Sequence, residues 1–372
     1  MPFRITGNIC AAAPTSKPAN QQTIMLGFSD GTKDGGYLMA NWAIYQAKED
    51  LTAVSRIANV EVAFFDGRGG PPAKGGGSTY AFYAALGKKI ESNQIQLTVQ
   101  GQTVSSFYGN TTAALHNIKQ LMAAGLENNL YQRPERELSQ QQRELIKQLA
   151  NISFDAYVAF KQDPLFIPYL EQMSTLKYYG RTNIGSGPSK RGSDTELQLE
   201  DLRAIPFVGA WSQLKQNVPG YYGLGTALLQ LEQEGRLSEC QDLYQSSRFF
   251  KALVDNSMQS MSKTNFKLTT YMREHARFGA FWQKIHNEFL LSKEMVLKVS
   301  KQTVLLEDNV SSRRSINLRQ RIVTPLLLIQ QYALIRIAAL VAADESDARI
   351  ELYEKMVMRS LFGNINASRN SA

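Results

Sequence analysis

The chain has 372 residues, 43% of them hydrophobic, enough for one large globular domain or two ordinary ones and too apolar for a disordered protein. Its net charge of +8 arises from 41 Lys and Arg against 33 Asp and Glu, but the cations are scattered among acids without a basic run, so no nucleic-acid partner is expected. Only Cys10 and Cys240 occur, and His116, His275 and His286 show no metal-ligand spacing, which excludes a disulfide framework and a zinc site and points to a reducing, cytoplasmic setting.

In chain order, residues 1–22 form an unplaced N-terminal segment whose apolar core is too short for a signal peptide. Thr23 to Phe28 reads as a buried strand, Leu38 to Ala58 as an amphipathic helix with Trp42, Tyr45, Leu51 and Val54 apolar, and Val60 to Phe65 as a second strand. A helix over Ser78 to Leu86 and a strand over Ile95 to Val99 follow. Strands separated by helices imply parallel pairing, which places functional groups on loops at the carboxyl ends of the strands. Beyond about Asn110 the pattern is helical, at Arg136 to Gln162, Leu165 to Tyr178, Gln241 to Met261, Tyr271 to Ser300 and Arg313 to Phe362. Arg181 to Glu200, rich in Gly, Ser and charge, reads as loop, and LRAIPFVGAW, ending at Trp211, as a compact strand-like run. The most apolar stretch, Pro325 to Ala343, contains Gln330, Gln331 and Arg336. It reads as a buried helix, and no membrane span is expected. The resulting division is a β/α portion over 23–230 with the functional loops and a helical C-terminal region over 231–372.

Two loops carry the chemistry. DGRGGPPAKGGGST, Asp66 to Thr79, packs six glycines around Arg68 and Lys74 directly after the second strand. Glycines let bare N–H groups approach a ligand, so the loop suits an anion such as phosphate or carboxylate; a flexible linker is the plainer reading. It has neither the Walker nor the dinucleotide spacing. FSDGTKDGG, Phe28 to Gly36, stands at the end of the first strand. Asp30 and Asp34 offer hard oxygens for Mg²⁺ or Mn²⁺ with Lys33 beside them, or else form an Asp-Gly turn capping the next helix. Farther on, Arg181, Lys190, Arg191 and Arg203 surround NIGSGPSKRG and the apolar run. Arg203, flanked by apolar residues, is the best candidate for a buried, functional cation.

Taken together, FSDGTKDGG, FFDGRGGPPAKGGGST, NIGSGPSKRG, LRAIPFVGAWSQ and VPGYYGLG resemble the carboxyl-terminal portion of the phosphoenolpyruvate carboxylase family, in register from about Gln22 to the end. The resemblance implies a mainly α protein with a β/α part, a partial α/β (TIM-like) barrel surrounded by many helices. It further implies a cytoplasmic, tetrameric enzyme that uses Mg²⁺ or Mn²⁺ to join bicarbonate to phosphoenolpyruvate, giving oxaloacetate and phosphate and feeding the tricarboxylic acid cycle. Asp30 matches a metal ligand; Arg68, Lys74 and Arg203 match catalytic anion-binding positions; Gly69, Gly70, Gly75, Gly76, Lys33 and Arg191 fall at substrate-binding ones. Lys263, Arg319 and Asn370 match the ligands of an inhibitory dicarboxylate, aspartate or malate.

The departures are Lys74 where the family usually has arginine, Gly187 where it has the arginine of Ile-Gly-Ser-Arg-Pro, and Asp66 where many members have histidine. The family's amino-terminal half, with an essential histidine and a second metal carboxylate, is not matched upstream of Asp30. That implies open strand edges and no turnover by the chain alone, with a noncatalytic subunit that binds anions or an N-terminal partner chain as the alternative.

Overall fold

In the computed structural model, which describes residues 20–67, 79–97, 102–130, 137–179, 181, 202–343 and 348–368, the expected β/α alternation builds a small parallel sheet. Strands β1 (Gln21–Leu26), β2 (Glu61–Asp66) and β3 (Ile95–Leu97) lie side by side in that order. Leu26 stands opposite Asp66, and Phe64 opposite Ile95. Parallel neighbours require crossovers. Helices α1 (Phe28–Gly35) and α2 (Tyr37–Ile57) join β1 to β2, and α3 (Thr79–Ala84) lies between β2 and β3. Among the described residues the sheet has three strands and does not close into a barrel.

The strands differ in cover. Val62, Ala63, Phe64 and Asp66 of β2 are buried, whereas β1 is exposed along most of its length and Met25 is 64% exposed. The first strand is therefore an open edge rather than the buried strand expected from its composition, and it ends two residues earlier than expected because Phe28 already belongs to α1. Gly36 joins α1 to α2 at φ 77°, and a side chain there would come within 3.1 Å of the Tyr157 ring, so both backbone and space demand glycine. Along α2 the buried positions Leu38, Asn41, Trp42, Tyr45, Lys48 and Thr52 recur every three or four residues, one face of a helix.

The remainder is helical. After α4 (Gln102–Tyr108) and α5 (Thr111–Leu130) comes α6 (Gln140–Lys161), which opens with a capping box: the Gln142 amide donates to Ser139 Oγ and the Ser139 amide to Gln142 Oε1. Then follow α7 (Phe166–Met173), α8 (Leu176–Tyr179) and α9 (Ala204–Gln213). Helix α9 occupies the run read as strand-like. Its proline, Pro206, falls in the first turn, where the backbone N–H has no intrahelical partner to lose. Trp211 of α9 anchors an aromatic core with Phe160, Phe166, Tyr169, Phe207 and Phe281. Within it the Phe160 and Tyr222 rings stack at 4.1 Å.

Helix α10 (Leu224–Gln233) leads to α11 (Leu237–Ser246) and α12 (Arg248–Ser262), split at Ser247, whose hydroxyl caps the Phe250 amide. A 3₁₀ segment, Phe266–Glu274, and α13 (Gly279–Ser300) replace the single helix expected there. Finally α14 (Val310–Ala342) packs against α15 (Ala348–Ser368). Gln330 and Gln331 of α14 are buried and bonded to Gln213 and Tyr271, so that face docks on the body. Leu318, Ile322, Leu328, Tyr332 and Val341 are exposed, so the expected fully buried helix is covered on one side only. By length and composition alone α14 could cross a membrane; its docked polar face argues for a surface helix of this body.

Candidate functional site at the strand ends

Helix α1 begins one residue beyond β1, so it delivers Asp30 to the carboxyl end of the sheet, in the helix's first turn and exposed. The aspartate-glycine segment is thus a helix rather than a turn. Lys33 points the other way. It is buried, its Nζ donates to the Leu202 carbonyl at 3.1 Å and lies 3.3 Å from an Asp34 oxygen. The bond ties Asp30's helix to the residue preceding Arg203. Arg203 caps α9, and its Nε is buried with no hydrogen-bond partner among the described residues. A buried guanidinium nitrogen without an acceptor is a costly arrangement unless an anion supplies one.

Beneath these groups lies a polar cluster that the sequence signalled only through Asp66. This last residue of β2 is wholly buried, bonded to Lys48 of α2 and to the Tyr83 hydroxyl of α3. Lys48 had a legible signal in its place on the buried stripe of α2, where a lysine needs a partner. Arg68, Lys74, Gly69, Gly70, Gly75, Gly76, Arg191, Gly187 and Asn370 lie outside the described residues.

Across the body, three cations converge. Lys263 at the end of α12, Arg319 of α14 and Lys215 of the turn after α9 line a small pocket with Ser212, Gln320 and Ser368, and no carboxylate is among its described lining residues. Burial, then the charges of Lys215 and Arg319, push the Lys263 ammonium down to about 7. Burial alone pushes Lys215 down to about 8. The structure therefore brings Lys263 and Arg319 together and adds Lys215, which the sequence reading missed. Gln320 closes one wall by donating to the Lys263 carbonyl at 2.9 Å.

Among the described residues no group of three or more His, Cys, Asp or Glu could hold a metal ion. Asp30 offers a single hard carboxylate, which fits a partial share in a magnesium or manganese site, since such ions keep several waters and few protein carboxylates.

A family model described as phosphoenolpyruvate carboxylase matches residues 10–368. The phosphoenolpyruvate carboxylases of Corynebacterium glutamicum and Corynebacterium efficiens are each 37% identical over 323 residues, covering 84% of this chain and 35% of theirs. That of Corynebacterium diphtheriae is 33% identical over 320 residues, covering 83% and 35%. The chain thus spans about a third of the length of these relatives.

Proposed function

The chain belongs to the phosphoenolpyruvate carboxylase family, and on that premise we propose that it carries the carboxyl-terminal share of a site that joins bicarbonate to phosphoenolpyruvate. The products are oxaloacetate and phosphate, an anaplerotic supply to the tricarboxylic acid cycle. Bicarbonate oxygen attacks the substrate's phosphorus and the ester P–O bond breaks, giving carboxyphosphate and the enolate of pyruvate; carboxyphosphate then splits into phosphate and carbon dioxide, and the enolate carbon bonds to that carbon dioxide. Negative charge is present at every stage, so the protein's task is to hold anions and stabilise the enolate oxygen.

One observation carries the reading: Arg203 has a buried Nε without an acceptor among the described residues, beside a backbone carbonyl that Lys33 binds from Asp30's own helix. Arg203 grips the phosphate, joined by Arg68, Lys74, Arg191 and the amides of Gly69, Gly70, Gly75 and Gly76. Lys33 acts at this site through the segment it holds. Asp30 contributes to a Mg²⁺ or Mn²⁺ site, and the ion when bound supplies charge neutralisation at the enolate and phosphate oxygens. The three parallel strands form part of a TIM-like barrel, in a cytoplasmic homo-oligomer whose contacts include the exposed face of α14.

The cation pocket is a regulatory site for a dicarboxylate, aspartate or malate, held by Lys263, Arg319 and Asn370. Calorimetry with phosphoenolpyruvate and Mn²⁺ tests the main reading. Arg203→Ala is expected to weaken binding by about 1.5–3 kcal/mol, the range for a charge-assisted contact, and Asp30→Asn to abolish the dependence on Mn²⁺. Equal heats for the parent chain and Arg203→Ala would remove Arg203 from the site.

A further inference from the structure

Lys48, Asp66 and Tyr83 are used by none of the metal, substrate or effector chemistry described above. One Asp66 oxygen accepts from Lys48 Nζ at 2.9 Å and from the Tyr83 hydroxyl; the other lies 2.8 Å from the same Nζ. The ammonium also sits 5.8 Å from the Phe28 ring, 5.3 Å from Phe64 and 5.7 Å from Tyr83. Both charged side chains are almost wholly shielded from water. An ion pair this deep incurs a heavy desolvation cost, and apolar residues of similar volume often serve the fold as well or better. Stability therefore does not explain why charge is placed here.

Placement does. The cluster draws on four elements at the carboxyl end of the sheet: Lys48 from α2, Asp66 and Phe64 from β2, Tyr83 from α3, and Phe28 from α1, two residues before Asp30. Asp66 is also the first residue of the glycine-rich segment, and Tyr83 lies one turn into the helix that follows it. Apolar contacts can slide with little change in energy, but a hydrogen-bonded ion pair fixes both distance and direction. We propose that Lys48, Asp66 and Tyr83 are positioning residues that hold the helix of Asp30, the end of β2 and the start of α3 in one register, so that the groups at the strand ends meet the same anion. The inference rests on the phosphoenolpyruvate reading for the identity of that anion, not for the anchoring itself. Displacements of about an ångström at such a site cost on the order of a hundredfold in rate.

The test uses the full chain with two readings: phosphoenolpyruvate affinity with Mn²⁺ by calorimetry, and the rate of tryptic cleavage after Arg68 and Lys74. The double variant Lys48→Met/Asp66→Leu removes the pair without stranding a charge, and should unfold at the parent's midpoint or above. It should nonetheless bind phosphoenolpyruvate at least tenfold more weakly and be cut in the glycine-rich segment at least tenfold faster. Tyr83→Phe, which keeps the ion pair and loses one hydroxyl, should show about a threefold effect in both readings with an unchanged midpoint. It decides the matter if the double variant fails to fold. Parent-like cleavage and affinity in the folded variants would overturn the proposal and leave the cluster as packing. If the parent binds no phosphoenolpyruvate, the functional reading fails instead, and the cleavage rates alone decide whether the segment is anchored.

Discussion

The region around the sheet and the body around Trp211 are held together by different forces. In the body, rings from α6, α7, α9 and α13 interlock, with Trp211, Phe207, Phe160 and Phe281 essentially inaccessible to water. At the strand ends the buried contacts are directional and charged, Lys48 to Asp66 and Lys33 to the Leu202 carbonyl, while β1 a few ångströms away faces solvent. Close packing gives cohesion that any group of the right shape provides. Directed bonds give position, and here they lie beside Asp30 and Arg203.

The contrast can be broken at its strong end first. Trp211→Ala should cost about 3–5 kcal/mol, as large-to-small changes of buried aromatics do, and urea unfolding should show one lowered midpoint for the whole chain. A loss below about 1 kcal/mol would mean the ring cluster is not what holds the body. Lys48→Met alone should approach the same loss, about 3–5 kcal/mol, because it strands a buried carboxylate. It should differ in kind: adding Asp66→Leu should restore the midpoint, whereas no second apolar change of that sort should rescue Trp211→Ala.

A smaller effect follows from the cation pocket. Lys263 and Lys215 have folded pKa values of about 7 and about 8, below the ordinary lysine value of 10.5. Between those values the unfolded chain binds more protons than the folded one, so their contribution to stability rises with pH from about 7 to about 10.5 and is at its least favourable below 7. Anion binding runs the opposite way, since a dicarboxylate favours the charged ammonium. Aspartate affinity should fall as pH rises from 6 to 8, with proton uptake on binding visible as heats that change with the buffer's ionisation enthalpy. Affinity flat across that range would place the ligand away from Lys263. The smallest effect is expected at the open edge, where Met25→Thr should shift stability by within about 0.5 kcal/mol; a larger loss would show that the edge is covered in solution.

Much of this was legible beforehand. Alternation of strand and helix foretold the parallel sheet, and the helix read over Leu38 to Ala58 lies within a residue of α2. Failures trace to physical causes. LRAIPFVGAW is buried on nearly every side, so its helix shows no polar stripe and reads as a strand. FSDGTKDGG has turn composition, yet Phe28 and Lys33 are both buried and Thr32 Oγ1 bonds the Phe28 carbonyl, and tertiary contact overrides propensity. Exposure of one side of α14 was not readable because an apolar stripe does not announce what covers it. At the candidate site, motif alone singled out Asp30, Lys33 and Arg203, but the bond that Lys33 makes to Leu202, 169 residues away, could not be read from it. Lys215 escaped because it reaches the pocket through a left-handed turn, φ 54°, that redirects the chain after α9.

Helix α9 has a consequence of its own. Arg203 stands at its first end, and Gln213 at its last accepts from Gln330 of α14 and Asn364 of α15, each at 3.1 Å, two residues before Lys215 of the cation pocket. Ten residues make a rod about 15 Å long that is stiff along its axis. The amide clamp at Gln213 fixes the last turn of α9 to the two C-terminal helices, as the Lys33 bond to the Leu202 carbonyl fixes the chain just before its first turn. One short helix thus spans the distance between the two cation-bearing regions, and both of its ends are tied by directed bonds rather than by packing alone.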